Sequence, residues 1–251
     1  MDNLNEILQK FSPISLTEMD SVKLMNRSDT KFIFRRELLT TILEQVRDEY
    51  FVLEVEGVRN SRYETLYYDT EDFKLFHQHR CDKASREKIR LRTYLESDLH
   101  FFEIKKKTNK GKTIKARIQR SEQTAQFSER THDFLQNKSD TDGSELVPKL
   151  WTKNSRITLV NKNLPERLTI DTDLLFCNME KEESLSELVI AELKQEKKQR
   201  SAFTDIMRCK RIPEISISKY CFGVIFLYEH IRMNNFKPKL LILNKLRHEP
   251  L

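Results

Sequence analysis

Several short segments of this 251-residue chain alternate apolar and basic side chains, which is the pattern that most constrains its fold. In residues 89–94 (IRLRTY), the isoleucine and the leucine alternate with Arg90 and Arg92. Because successive side chains of a strand point to opposite faces, the segment predicts a strand with one apolar and one charged face. A turn sequence at 109–112 (NKGK) predicts a hairpin of antiparallel strands. Related patterns recur in residues 101–108, 113–119, 167–176 and 188–195.

A charged strand face has a plain explanation, since antiparallel sheets commonly turn one face to solvent. Here, however, neighbouring strands are predicted to place like charges side by side, which destabilises a sheet unless an anion neutralises them. Glu103 and Glu192 stand among these cations, and a few carboxylates among many cations suit a metal ion that works beside phosphates. The pattern therefore favours a closed barrel with its charged face inside and its apolar face covered by helices. The cations are Arg90, Arg92, Lys105, Lys107, Lys115 and Arg117.

Overall charge and hydropathy narrow the function class. The net charge of +6 favours anionic partners, whether nucleic acid, acidic lipid or phosphate compounds. No apolar run approaches the roughly 18–20 residues that span a bilayer, and the polar first residues do not resemble a signal peptide. We therefore expect a soluble, cytoplasmic protein. The four cysteines show no CxxC spacing, so a zinc site is not expected.

The domain organisation follows from the absence of any linker rich in Gly, Pro or Ser. We expect a single domain over residues 1–251, with a core at about 26–223 and flanking helices in 1–25 and 223–251. Helical periodicity also predicts helices within the chain. The segments are 37–50, 121–150 (apart from a loop at 138–143), 200–211 and 223–233.

Five short motifs, taken in order, resemble the VTC domain, the catalytic domain of the vacuolar transporter chaperone polyphosphate polymerase. The resemblance covers about residues 26–223 and implies membership of the triphosphate tunnel metalloenzymes, a CYTH-like superfamily. It implies an α+β fold, with an antiparallel eight-stranded tunnel-like β-barrel, a charged lumen and helices packed outside. The motifs are IRLR at 89–92, E-x-K at 103–105, IDT at 170–172, E-x-K at 192–194 and Ser-Lys at 218–219.

The resemblance also implies an activity. Related enzymes transfer the terminal phosphoryl group of ATP to a growing polyphosphate chain and use a divalent metal, Mn²⁺ or Mg²⁺. ATP and polyphosphate or triphosphate are thus the expected partners, and nucleic acid is not. Whether a separate membrane partner receives the product is left open.

Site residues are carried over position by position. Glu192 matches the metal-binding glutamate, and Ser218 matches a polar phosphate contact. Strand alternation adds Lys107 and Lys194 to the substrate-binding set, beside Lys31 and Arg80. The resemblance implies that Arg80, Arg90, Arg92 and Lys105 hold nucleotide phosphates. It implies that the acceptor chain is held by Lys31, Lys115, Arg156, Arg167 and Lys219.

Some positions depart from the family pattern. Asn154 replaces an expected tyrosine, and Ser216 replaces an expected lysine. The segment 27–31 (RSDTK) lacks the paired glutamates of the hydrolytic tunnel enzymes, which favours the polymerase branch. Three alternatives remain: a triphosphate hydrolase on the same fold, a non-catalytic binder of polyphosphate or pyrophosphorylated ligands, and a nucleic-acid binder. The last is disfavoured because the aromatic residues mostly occupy apolar-face or junction positions.

Overall fold

A computed structural model of the protein describes residues 2–21 and 28–248, and its strands all belong to one sheet. The segment 22–27, which includes the predicted start of the core and Arg27, lies outside the described residues. The strands are β1 (Ser12–Ile14), β2 (Ser28–Arg35), β3 (Tyr50–Leu53), β4 (Ser61–Asp69), β5 (Arg86–Tyr94), β6 (Leu99–Lys107), β7 (Thr113–Arg120), β8 (Val147–Asn161), β9 (Glu166–Cys177), β10 (Glu182–Leu185) and β11 (Leu188–Gln195).

Helices flank the sheet and connect its strands. Within the described residues none is long and apolar enough to span a membrane. The helices are α1 (Asp2–Gln9), α2 (Leu16–Ser21), α3 (Leu39–Val46), α4 (Lys74–Arg80), α5 (Glu129–Lys138), α6 (Ala202–Cys209), α7 (Lys219–Leu227) and α8 (Lys237–His248).

Eight strands make up the main path of the sheet, in the order β2-β11-β9-β8-β4-β5-β6-β7. Each strand of this path is antiparallel to its neighbours. Between the two end strands, β2 and β7, no ladder of hydrogen bonds forms in the described residues. The predicted large antiparallel sheet of an α+β fold is therefore confirmed, whereas a closed eight-stranded barrel is not.

The sheet is nevertheless strongly curved. Lys31 on β2 and Lys105 on β6 stand near opposite ends of the strand order, yet both line one cavity of about 480 Å³. Burial lowers the pKa of Lys105, and the charges of Glu192 and Lys31 act on it in opposite directions. The face that carries these side chains is thus concave.

Helices cover the apolar side of the strands, as predicted. Ile89 and Leu91 are fully buried there, while Arg90 and Arg92 turn to the other side. Helices α1, α3 and α6 pack against β2, β8, β9 and β11, and Leu135 of α5 packs over β4, β5 and β6. Burial of this apolar surface stabilises the fold.

Helix α7 corrects the prediction that all helices pack outside. Ile33 and Ile190 lie two residues along their strands from Lys31 and Glu192, so they share the charged side, and both join the cluster that contains α7. Its sequence, KYCFGVIFL, is apolar all round, which suits a helix enclosed by protein. Gly223 permits the close approach of α7 to β8. A Cβ at this position would lie only 2.9 Å from Leu150 Cδ1 and would clash with it.

Several predicted element bounds were wrong. Only residues 129–138 of the segment 121–150 are α-helical, and its end begins the fifteen-residue strand β8. The helix predicted at 37–50 is α-helical only over Leu39–Val46, and Tyr50 already starts β3. The helix predicted at 223–233 begins at Lys219 and ends at Leu227.

Candidate active site on the concave face

Strand register places one set of charged side chains on the concave side of the sheet. Residues directly opposite each other in a ladder share a face, so the pairs Lys88–Lys105, Arg90–Glu103 and Glu192–Lys31 all point the same way. We call this surface the charged face. Its ionic residues include Asp29, Lys31, Arg86, Lys88, Arg90, Arg92, Glu103, Lys105, Lys107, Lys115, Arg117, Arg156, Arg167, Asp171, Glu192 and Lys194.

Glu103 is fully buried and holds two of the predicted phosphate-binding cations. Arg90 donates from Nε to Oε2 at 2.8 Å, and Lys115 Nζ lies 2.5 Å from Oε1. The three residues come from β5, β6 and β7, so neighbouring strands supply them in register. Glu103 thus neutralises part of the like-charge repulsion that the sequence pattern predicted.

Asp171 plays the same part on the other half of the sheet. Arg156 donates a bidentate pair of hydrogen bonds to it, from Nε to Oδ1 at 2.6 Å and from Nη2 to Oδ2 at 2.8 Å. Lys219 Nζ lies 2.8 Å from Oδ2 and also donates to Asn154 Oδ1 at 2.7 Å. Asn154, the departure from the family tyrosine, therefore helps to fix Lys219.

Glu192 is the third acid and the predicted metal ligand. Lys194 Nζ donates to its Oε2 at 2.7 Å, and Lys31 Nζ lies 3.7 Å from Oε1. Lys31 also donates to the carbonyl of Ile217 at 2.9 Å. Each of the three acids therefore faces two cations.

The acids remain ionised at neutral pH. Burial by itself would raise the pKa of Glu103, but the charges of Arg90, Arg92 and Lys115 outweigh it and hold the pKa at about 2. For Glu192 and Asp171, burial likewise opposes ionisation and nearby cations overcome it, so both pKa values fall well below the usual range.

The lysines respond in the opposite direction. Burial lowers the pKa of Lys219 to about 7 despite the nearby charge of Asp171. It lowers the pKa of Lys115 to about 8, against the attraction of Glu103, and that of Lys88 to about 8 as well. An anionic ligand would favour their charged forms and raise these pKa values again.

Helix α7 positions Lys219 at its first residue. The hydroxyl of Ser218 accepts from the Cys221 amide at 3.3 Å and so caps the helix, while Ser218 also lines the cavity. Tyr220 donates to the buried carboxylate of Asp69, which also accepts from the amides of Leu75 and Phe76 at 2.8 Å. The N-terminus of α7 is therefore tied to β4 and α4.

The predicted nucleotide-binding and acceptor-binding sets do not form two separate groups. Arg80, Lys105, Lys107 and Lys31 line the 480 Å³ cavity together with Lys88, and we call this the lysine end. Arg90 lies two residues further along β5 and Arg92 four, toward the other end of the face. In the ladder of β9 and β11, Arg167 lies opposite Lys194. Lys194 is two residues beyond Glu192 along β11, in the direction away from Ile190.

Two features of the face were missed by the assignment of site residues. Lys88 lines the cavity and occupies the alternate position before Arg90, so strand alternation alone could have included it. Tyr63 and Tyr94 also lie on this face, beyond Arg92, and Phe101 lies on it opposite Arg92. The pairing of β4, β5 and β6 brings these three rings together, and the separate segments gave no signal of it.

This geometry can be set beside known protein families. A family model described as the VTC domain matches residues 26–228. The chain belongs to the VTC domain family. The resemblance to that family seen in the motifs is thereby confirmed. No curated protein matched the sequence.

Solved structures share the VTC chain's architecture at low sequence identity. A Bacillus halodurans protein named as a "putative adenylate cyclase" has 18% identity and a TM-score of 0.51, covering 77% of this chain and 96% of its own. A Hippeastrum adenylyl cyclase candidate, described as having a dominant triphosphatase activity, has 11% identity and a TM-score of 0.48, covering 81% and 98%. The first likeness establishes a shared fold.

The donor set of this VTC domain fits a divalent metal bound mainly through its substrate. In residues 2–21 and 28–248 no cluster of three or more His, Cys, Asp or Glu side chains could hold a metal ion. Glu192 offers one hard carboxylate among cations that attract phosphate. Mg²⁺ beside phosphates is commonly held by one or two carboxylates together with phosphate oxygens and water. Glu192, the predicted ligand, is a candidate to hold such an ion.

Proposed function

We propose that this VTC domain is a metal-dependent polyphosphate polymerase that transfers the terminal phosphoryl group of ATP to a growing polyphosphate chain and releases ADP. The observation that carries the proposal is the extent of the charged face. Cations follow β5 and β6 from Lys107 at the lysine end to Arg92, with Glu192 facing them from β11. Such a track can hold a chain of phosphates as well as a single triphosphate. We also propose that residues 1–251 form one domain.

Phosphoryl transfer depends mainly on position and charge neutralisation. Arg90, Arg92 and Arg156 carry planar guanidinium groups that grip phosphate oxygens in pairs, whereas Lys31, Lys105 and Lys219 supply point charges. In this proposal Glu192 would hold Mn²⁺ or Mg²⁺, and the bound ion would help to neutralise charge on the transferred group.

The acceptor needs no strong base. A terminal phosphate oxygen of polyphosphate is already anionic near neutral pH, so the protein has only to align it with the donor phosphate. Lys115, Arg167 and Lys194 are proposed to assist in holding the chain, with Arg80, Lys107 and Ser218 at the lysine end. The proposed in-line arrangement thus requires positioning residues rather than a general base.

The principal alternative is a triphosphate hydrolase, in which water replaces the acceptor chain. A non-catalytic binder would use the same cations without turnover. These possibilities differ in product. We expect the protein, incubated with ATP and Mn²⁺, to form polymer that a polyphosphate-resolving gel separates from ATP. Release of free phosphate alone would indicate the hydrolase, and unchanged ATP would indicate the binder.

A further inference from the structure

Three aromatic side chains extend the charged face beyond its arginines. Tyr63 of β4 lies opposite Tyr94 of β5, and their ring centroids are 4.9 Å apart. Phe101 of β6 lies opposite Arg92, and its ring is 5.8 Å from that of Tyr94. We call these three residues the aromatic end.

The exposure of these rings distinguishes them from the core. Tyr68 and Phe102 are 1% and 0% exposed on the opposite, helix-covered side of the same strands. Tyr63, Tyr94 and Phe101 are only partly buried, so ring surface remains accessible on the charged face. Aromatic surface left partly open beside a charged site is a feature of ligand-binding sites.

Guanidinium groups lie against two of the rings. Arg156 and Arg92 have their Cζ atoms 5.1 Å and 5.9 Å from the centre of the Tyr63 ring. Arg117 Cζ lies 4.5 Å from the centre of the Phe101 ring. Arg92 and Arg156 are also members of the proposed phosphate-binding set, so the aromatic surface and the phosphate track meet at the same arginines.

The spacing suits a molecule that has both a planar ring and a phosphate tail. Along β5, Tyr94 is two residues from Arg92 and four from Arg90, or about 7 Å and about 14 Å at the rise of a strand. The lysine end differs, because the phenyl ring that lines its cavity, that of Phe236, is 7% exposed and packs against Phe222. The two ends of the face therefore offer different chemistry.

We propose that the aromatic end binds the base of a nucleoside triphosphate, with the base stacked on Tyr94 and in edge contact with the nearly perpendicular ring of Phe101. The phosphate tail then runs past Arg92 and Arg90 toward the lysine end, which is left for inorganic polyphosphate. Tyr63 is a positioning residue that keeps Arg92 and Arg156 in place. The proposal rests on the proposed function, because it supplies the orientation of the ATP used there.

The test compares two ligands that differ by the nucleoside. We measure dissociation constants of ATP and inorganic triphosphate by titration calorimetry for the wild type, Tyr94→Leu and Phe101→Leu. Leucine keeps apolar bulk but removes the stacking face. Tyr94→Leu is expected to weaken ATP binding roughly tenfold, in line with the worth of base–aromatic stacking, and Phe101→Leu to weaken it by a smaller factor. Both are expected to change triphosphate binding less than about twofold.

Two further variants secure the interpretation. Phe101→Tyr retains the ring and is expected to keep the wild-type affinity for ATP. Phe51→Leu is the matched control, since Phe51 on β3 also carries a cation, with Lys162 Nζ at 5.3 Å, but lies outside the charged face. It is expected to change neither affinity.

The outcomes separate this inference from the proposed function. Equal losses for ATP and triphosphate, or no loss for either, would overturn the base-binding role while leaving a phosphate-binding site intact. A wild-type protein that binds neither ligand would overturn the proposed function and this inference with it.

Discussion

Three carboxylates, two of them buried and the third partly buried, determine how the charged face behaves when no anion is bound. Glu103, Asp171 and Glu192 each contact two cations, and those contacts lie at 2.5–3.7 Å. An isolated charge in such a place would be costly, so each acid makes the neighbouring cations tolerable. A phosphate ligand must compete with these contacts, which makes every acid a determinant of affinity as well as of structure.

Glu192 is the acid that the proposed mechanism needs for metal binding. Glu192→Gln removes the carboxylate charge while preserving the shape of the side chain. Turnover of ATP in Mn²⁺ is expected to fall by at least about a hundredfold, whereas triphosphate affinity without metal is retained or increased, since Lys31 and Lys194 lose a competitor. Initial rates and calorimetric titration measure the two effects. Wild-type turnover in this variant would exclude Glu192 from the reaction.

The lowered lysine pKa values predict a pH dependence with a definite sign. Lys219, with a pKa of about 7, and Lys88 and Lys115, with pKa values of about 8, lose their protons as pH rises from 6.5 to 9. Triphosphate affinity is therefore expected to fall over this range, and binding near pH 8 to take up protons. Calorimetry in buffers of different ionisation enthalpy measures the uptake.

The stability of the free protein should change in the opposite direction. Because the folded pKa values lie below the usual value of 10.5, the unfolded chain binds more protons between pH 7 and 10.5. These lysines therefore favour folding increasingly as pH rises.

Lys219→Met should reduce the proton uptake that accompanies triphosphate binding. Identical uptake in the variant and the wild type would contradict the assignment of Lys219.

At the scale of elements, the sequence predicted local patterns well and long-range placement poorly. Residues 86–94 and 99–107 were predictable as strands because an alternation of period two needs only neighbouring side chains. A strand was predicted at residues 156–160, but the first part of β8 was missed because Leu150 and Trp151 depart from simple alternation and a bulge interrupts its register. The position of α7 on the charged face was not predictable, since it depends on contacts with β2, β8 and β11 that no local pattern encodes.

Helix α7 connects stability with the site through Tyr220. Tyr220→Phe removes a donor from buried Asp69, which is expected to lower the free energy of unfolding by about 1–3 kcal/mol. It should also weaken triphosphate binding several-fold, because Ser218 and Lys219 precede Tyr220 in the chain. Urea denaturation and titration calorimetry measure the two effects.

The chain offers a matched control for this variant. Tyr50 donates to buried Glu166 on the side of the sheet away from the site. Tyr50→Phe should therefore cost similar stability and leave triphosphate affinity unchanged. If both variants weakened binding equally, the effect would be one of general stability rather than of α7.

The whole molecule presents one concave charged face with two unlike ends. Alternation within each strand predicted which cations share a face. Which cations meet at the lysine end was not predictable, because that end joins strands far apart in sequence, such as β2 and β6. Fold likeness to enzymes of other names shows the architecture alone. The proposed function rests on the row of cations between the ends of the face.

The continuity of that row can be measured with linear polyphosphates of increasing length. If the face is one track, the dissociation constant should fall steadily from triphosphate to a chain that reaches both ends and then level off. Lys107→Gln, at the lysine end, should weaken the long chains more than triphosphate. An affinity that is already maximal for triphosphate and unchanged in longer chains would contradict a polyphosphate track and favour a site built for a single triphosphate.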